Sequence, residues 1–196
     1  MAVRKKQAQP VPNLEELEAE LKRVRYQKRY GSVLRSTVYT LLIVAAAAVL
    51  LAMLVFPVLR IHGSSMTPSL TDGNIVVCLK NSSYEVGDAI AFYYNNKILV
   101  KRVIARAGEW VDIDEDGYVY INGEKIDEPY VEEHALGECN ITLPYQVPEG
   151  RVFVMGDHRS VSVDSRSTSV GCVSDEQIVG KLLVRVWPLT ELGTVN

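Results

Sequence analysis

Three short stretches hold residue types that could do chemistry together. The first is Gly63-Ser64-Ser65-Met66-Thr67-Pro68-Ser69-Leu70. A serine hydroxyl is a poor nucleophile until a neighbouring group takes its proton. Histidine is the usual base, but the three histidines are scattered: His62 is close to Ser65 along the chain, His134 lies in an acidic segment, and His158 belongs to a charged loop. The second stretch, Ile98 to Ile104, contains Lys101. Strand alternation puts Leu99, Lys101 and Val103 on one face, and desolvation there lowers the lysine pKa and leaves an amine able to act as a base. Arg102, on the opposite face, is expected to stay charged. The third stretch, Val154 to Arg166, follows an apolar strand and crowds Asp157, Arg159, Ser162, Asp164 and Arg166 together. Carboxylate, hydroxyl and guanidinium groups at such spacing can satisfy one another. Taken singly, each stretch has a structural explanation: a turn, a lysine that snorkels to water, and a loop of surface ion pairs.

The elements that must hold these groups begin with a membrane-length run. No charge occurs between Arg35 and Arg60, and Val38 to Leu59 is almost continuously apolar. About 20 such residues cross a bilayer as a helix. A cleaved leader has a shorter apolar region and a small-residue cleavage site, so residues 36–59 are expected to be an uncleaved transmembrane helix, with Pro57 near its end. Residues 1–35 carry nine basic and four acidic side chains, a net +5, and the remainder carries twelve and twenty, a net −8. Lys and Arg flanking a span favour the cytoplasmic side. The reading is therefore a single-pass protein of the cell membrane, with a basic cytoplasmic tail (1–35) and an extracytoplasmic domain (60–196). The acidic exterior argues against nucleic acid, which needs a clustered basic surface; the lipid bilayer is the expected partner of the anchor. Residues 1–13 are polar and are expected to be mobile. Leu14, Leu17, Leu21 and Val24 predict a short helix from Leu14 to Tyr30, with Asn13 as its cap.

Beyond the anchor the chain is β-rich, with runs at Ile75–Leu79, Ala89–Tyr94, Ile98–Ala105, Trp110–Ile113, Tyr118–Ile121, Arg151–Met155 and Ile178–Trp187, separated by turn signals such as Asp116-Gly117 and Asn122-Gly123. The fold class is mainly β, with antiparallel sheets or a partly open barrel. Residues 124–150 lack periodicity and read as an excursion over the surface. Cys78, Cys139 and Cys172 are compatible with three free thiols or with a Cys139–Cys172 pair. No Cys/His cluster has metal-ligand spacing, and no cofactor is expected.

Together, the three stretches resemble the motifs of the bacterial type I signal peptidases, membrane-bound serine proteases with a Ser–Lys dyad. Ser65-Met66-Thr67-Pro68-Ser69 is similar to that family's Ser-Met-x-Pro-Thr. Lys101-Arg102-Val103-Ile104-Ala105 with Gly108-Glu109 is similar to its base motif, and Gly156 to Arg166 to its Gly-Asp-Asn-Arg-x-x-Ser-x-Asp-Ser-Arg. The resemblance runs from about residue 38 to 190. It implies Ser65 as nucleophile, Lys101 as general base, Ser162 hydrogen-bonded to the lysine, an Asp164–Arg166 salt bridge behind it, Asp157 and Arg159 shaping the loop, and the Ser65 backbone N–H stabilising the oxyanion. The chain departs from the pattern at Gly63, where some members carry a second oxyanion hydroxyl, at Ser69 and Ala105, at Ala107, where proline is usual, and at His158, which stands where the family has asparagine.

The resemblance also implies substrates: exported preproteins with small residues at positions −3 and −1, held as an added strand over pockets lined by Ile61, Leu70, Leu99 and Val100. Three readings compete with a signal peptidase. A catalytically silent relative assisting assembly of pili or other surface proteins would not need Ser65 and Lys101. A self-cleaving Ser–Lys repressor would need a DNA-binding domain where the anchor stands. A plain anchored binding domain leaves the Ser–Lys–Asp–Arg set unexplained.

Overall fold

The computed structural model describes residues 13–195; most of the polar stretch expected at 1–13 lies outside them. One helix, α1, runs from Leu14 to Val55 without interruption. This corrects the expectation of two helices, a short one ending at Tyr30 and a span over 36–59. No proline breaks the junction. Its hydroxyl side chains bond back into the helix, Ser32 to the Arg29 carbonyl (3.0 Å), Thr37 to Val33 (3.0 Å) and Thr40 to Ser36 (2.9 Å). Asn13 caps the start, with its own N–H donating to Glu16 Oε2 at 3.3 Å. The helix stops before Pro57, which has no N–H to donate, and residues 58–60 are already a strand. At 1.5 Å per residue the helix is about 63 Å long, roughly twice the hydrocarbon thickness.

The β unit contains β1 (Val58–Arg60), β2 (Ile75–Lys80), β3 (Ala89–Tyr94), β4 (Lys97–Ala105), β5 (Trp110–Ile113) and β6 (Val119–Ile121). It continues with β7 (Glu124–Lys125), β8 (Tyr145–Gln146), β9 (Arg151–Met155), β10 (Val173–Ser174), β11 (Ile178–Trp187) and β12 (Gly193–Thr194). The larger sheet has the order β1-β2-β11-β3-β4-β9-β10, with β12 added to β11, and the smaller has the order β7-β6-β5-β8. All pairings are antiparallel, as expected.

Strand alternation explains why the central strands read as unbroken apolar runs. In β3, Ala89 and Ala91 pack into one core cluster while Ile90 and Phe92 pack into another. In β9, Val152 and Val154 join the second of these, and Phe153 and Met155 a third. Both faces are thus covered. Residues 124–150 do more than cross the surface. They supply β7 and β8 to the smaller sheet, and Ile126, Leu136, Ile141 and Leu143 pack against the third cluster. The excursion is irregular because it is held by scattered apolar anchors and side-chain pairs instead of long ladders. All three cysteines are free, so the Cys139–Cys172 pair is not formed.

Candidate active site

Ser65 lies in the loop joining β1 to β2. Backbone bonds close the base of that loop, from Ile61 N–H to the Asn74 carbonyl (2.8 Å) and from Gly73 N–H to the Ile61 carbonyl (3.0 Å). Met66 and Leu70 anchor it in the core, at 2% and 0% exposure. The loop is therefore fixed from beneath, leaving Ser65 at the surface of a cleft.

Lys101 comes from β4 and is only 3% exposed. Its Nζ stands 2.7 Å from Ser65 Oγ. Burial lowers the lysine pKa from 10.5 to about 8; Asp164 and Asp157 pull it back up, while Arg166 pushes it further down. A serine hydroxyl in hydrogen-bond contact with a desolvated amine has the arrangement that a nucleophile and its base require. No hydrogen bond joins a histidine side chain to Ser65 Oγ: His62 faces Asp72 at 3.9 Å, and His134 faces Glu128 at 3.9 Å.

A family model described as signal peptidase, peptidase S26, matches residues 34–187. The chain belongs to this family. Signal peptidase IB of Staphylococcus aureus (strain COL) is 39% identical over 152 residues, covering 67% of this chain and 78% of that protein. Signal peptidase I of Bacillus caldolyticus is 36% identical over 160 residues, covering 73% and 86%. A crystal structure of a signal peptidase I from Enterococcus faecalis V583 is 32% identical, covers 52% of this chain and 97% of that one, and has a TM-score of 0.42. The chain is thus a serine endopeptidase of the signal peptidase I type whose substrates are preproteins, and the one long apolar helix among the described residues, near the N-terminus, is consistent with a single-pass anchor.

Around the Ser65–Lys101 contact of this signal peptidase stand three buried arginines, each on its own carboxylate. Arg166 grips Asp164 through two bonds (2.8 and 2.9 Å) and also donates to the carbonyls of Leu136, Ala135, Arg159 and Ser162. Burial alone would raise the Asp164 carboxyl, but Arg166 and the Gly156 N–H (2.9 Å) hold it below its usual value. Arg102 grips Asp157 at 2.9 and 2.7 Å, donates to the Gly87 carbonyl at 2.7 Å and to Ser69 Oγ at 3.2 Å, and lies 4.0 Å over the Tyr130 ring. Arg159 pairs with Glu128 and donates to the Gly156 carbonyl at 3.0 Å. Removing one member of such a pair strands a buried charge, so the loop and the excursion are locked as a unit.

Two expected positions are corrected. Ser162 makes no hydrogen bond to Lys101; its Oγ is buried without a well-formed partner, and its influence falls on the ionised Asp164 carboxylate. It packs so closely on Gly156 that a side chain at Gly156 would collide with Ser162 Oγ and with the Ser65 carbonyl oxygen. Leu70 is not among the residues that line the cleft beside Ser65; it is fully buried beneath the loop, in the core with Ile61 and Met66. Ile61, Leu99 and Val100 do line a cleft of about 490 Å³ beside Ser65 and Lys101, together with Leu59, Met66 and Ile98. Glu128 and Tyr130 lie in an aperiodic segment and carry no sequence signal of their place beside Arg159 and Arg102. The charged Arg102 expected from the sequence finds its partner in Asp157, as an arginine inside an apolar strand demands a buried acid.

Proposed function

We propose that this signal peptidase cleaves exported preproteins by attack of Ser65 Oγ on the scissile carbonyl while Lys101 Nζ takes the hydroxyl proton. The observation that carries the reading is the 2.7 Å contact between these atoms at a desolvated amine. With a pKa of about 8, roughly one lysine in ten is neutral at pH 7. The developing oxyanion accepts from the Ser65 backbone N–H, which makes no hydrogen bond to any other described residue. Collapse of the tetrahedral intermediate expels the amine of the mature protein, which takes the proton from Lys101. Water, losing its proton to the now neutral Lys101 Nζ, then attacks the Ser65 ester; the acyl bond breaks, Ser65 Oγ takes the proton back from Lys101, and the signal peptide leaves.

Substrate selection follows from the strand edge. β3 pairs with β4 over Lys97–Arg102, but β9 joins the other side only from Arg102 onward. Lys97–Lys101 therefore offers an open edge that leads to the base, and an extended peptide adds there as a strand. Ile61, Leu99 and Val100 wall the adjoining cleft and accept small side chains at −3 and −1. The charge asymmetry across the anchor supports a topology with residues 1–35 in the cytoplasm and residues 60–196 outside, and with it cleavage on the extracytoplasmic side of the membrane. The test is incubation of the full chain in detergent with a preprotein and mass mapping of the cut. A single cut after a small residue, lost when that residue is replaced by Leu, is expected; efficient cleavage after Leu would contradict the reading.

A further inference from the structure

His158 touches both peptide units that flank the nucleophile. Its backbone N–H donates to the Ser65 carbonyl at 3.1 Å. Its ring Nδ1 lies 3.3 Å from the Ser64 carbonyl oxygen. That oxygen can only accept, so the contact requires the hydrogen on Nδ1. The same oxygen also accepts the Thr67 N–H at 3.1 Å, which closes the turn around Ser65.

The consequence comes from peptide planarity. The Ser64 carbonyl and the Ser65 N–H are opposite ends of one rigid trans unit and point in opposite directions. Whatever holds the Ser64 oxygen sets the direction of the Ser65 N–H. With Gly63 in place of a residue bearing a side-chain donor, that N–H is the donor the proposed reaction relies on. We infer that His158 is a positioning residue of the oxyanion site: its imidazole holds the Ser64–Ser65 peptide so that the Ser65 N–H faces the carbonyl oxygen of the scissile bond. The inference rests on the proposed use of Ser65 as nucleophile and oxyanion donor.

His158→Ala and His158→Phe remove the donor; the second keeps the ring volume. His158→Asn retains an N–H at the δ position. The full chain in detergent is assayed with a preprotein, with a peptide aldehyde matching the cleaved sequence, and with the corresponding peptide alcohol. The aldehyde is attacked by Ser65 Oγ, whose proton passes to Lys101, and its oxygen becomes an oxyanion. The alcohol binds without reacting. Removing an oxyanion donor costs about 100- to 1,000-fold; misdirecting one is expected to cost ~10-fold. His158→Ala and His158→Phe should lower kcat by ~10-fold at unchanged KM and weaken the aldehyde by the same factor, with alcohol affinity unchanged and His158→Asn restoring both losses. Unchanged kcat and aldehyde affinity in Ala and Phe, or equal loss of aldehyde and alcohol binding, would overturn the inference. Ser65→Ala run alongside separates the two levels. Its inactivity together with an unaffected His158→Ala defeats only the positioning role, whereas an active Ser65→Ala defeats the underlying reading.

Discussion

Replacing Lys101 by methionine should destroy activity and yet stabilise the β unit, by an amount that depends on pH. The folded site lowers the lysine pKa from 10.5 to about 8. Between those values the unfolded chain binds more protons than the folded one, so wild-type stability rises as pH rises through this window. Below pH 8 the fold carries the full cost of a desolvated ammonium; above 10.5 the lysine is neutral in both states and the cost is gone. At 1.36 kcal/mol per unit, the cost near neutral pH is about 3 kcal/mol. Methionine has similar length and no charge. The stability of Lys101→Met minus that of wild type should therefore be about 3 kcal/mol larger at pH 7 than at pH 10.5 and above. The assay is urea unfolding of both proteins in the same detergent, followed through Trp110 and Trp187 fluorescence at half-unit pH steps. Other titrating groups are common to both proteins and cancel in the difference. A difference that stays flat from pH 7 to 10.5 would show that Lys101 is solvated in the fold, and the argument for a neutral amine base would fail.

Two further outcomes follow from the same geometry. The kcat/KM for preprotein cleavage should climb tenfold per pH unit below pH 8 and level off above it, because only neutral Lys101 accepts the serine proton; a rate that falls across this range in a pH–rate profile contradicts the assignment. Gly156→Ala should lower kcat by ~100-fold, since the added methyl collides with Ser162 Oγ and the Ser65 carbonyl; a wild-type rate would show that the loop does not hold the nucleophile in place.

The longer strands of both sheets were legible because their signals are local. β3, β5, β9 and β11 begin and end where alternation and turn residues put them. Ser65 and Lys101 were legible for a different reason: each carries its motif within a few neighbours. What stayed hidden depends on distant partners. Glu128 reaches Arg159 from a segment without periodicity, and Tyr130 covers Arg102 from the same segment. Leu70 and Ser162 were misplaced because motif membership does not say which way a side chain points. Leu70 turns into the core, and Ser162 packs against Gly156 instead of reaching Lys101. The continuous helix was missed because the apolar spacing read from Leu14 to Val24 and the uncharged run beyond Arg35 are separate signals; the hydroxyl side chains near their junction bond back into one uninterrupted helix.

The central claim, that Ser65 and Lys101 form the catalytic pair, is tested most directly by mass-mapped cleavage of one preprotein by wild type, Ser65→Ala and Lys101→Ala, each with its melting temperature recorded. A single cut by the wild type and no product from either folded variant is expected. Product at the same bond and at the wild-type rate from either variant would contradict it.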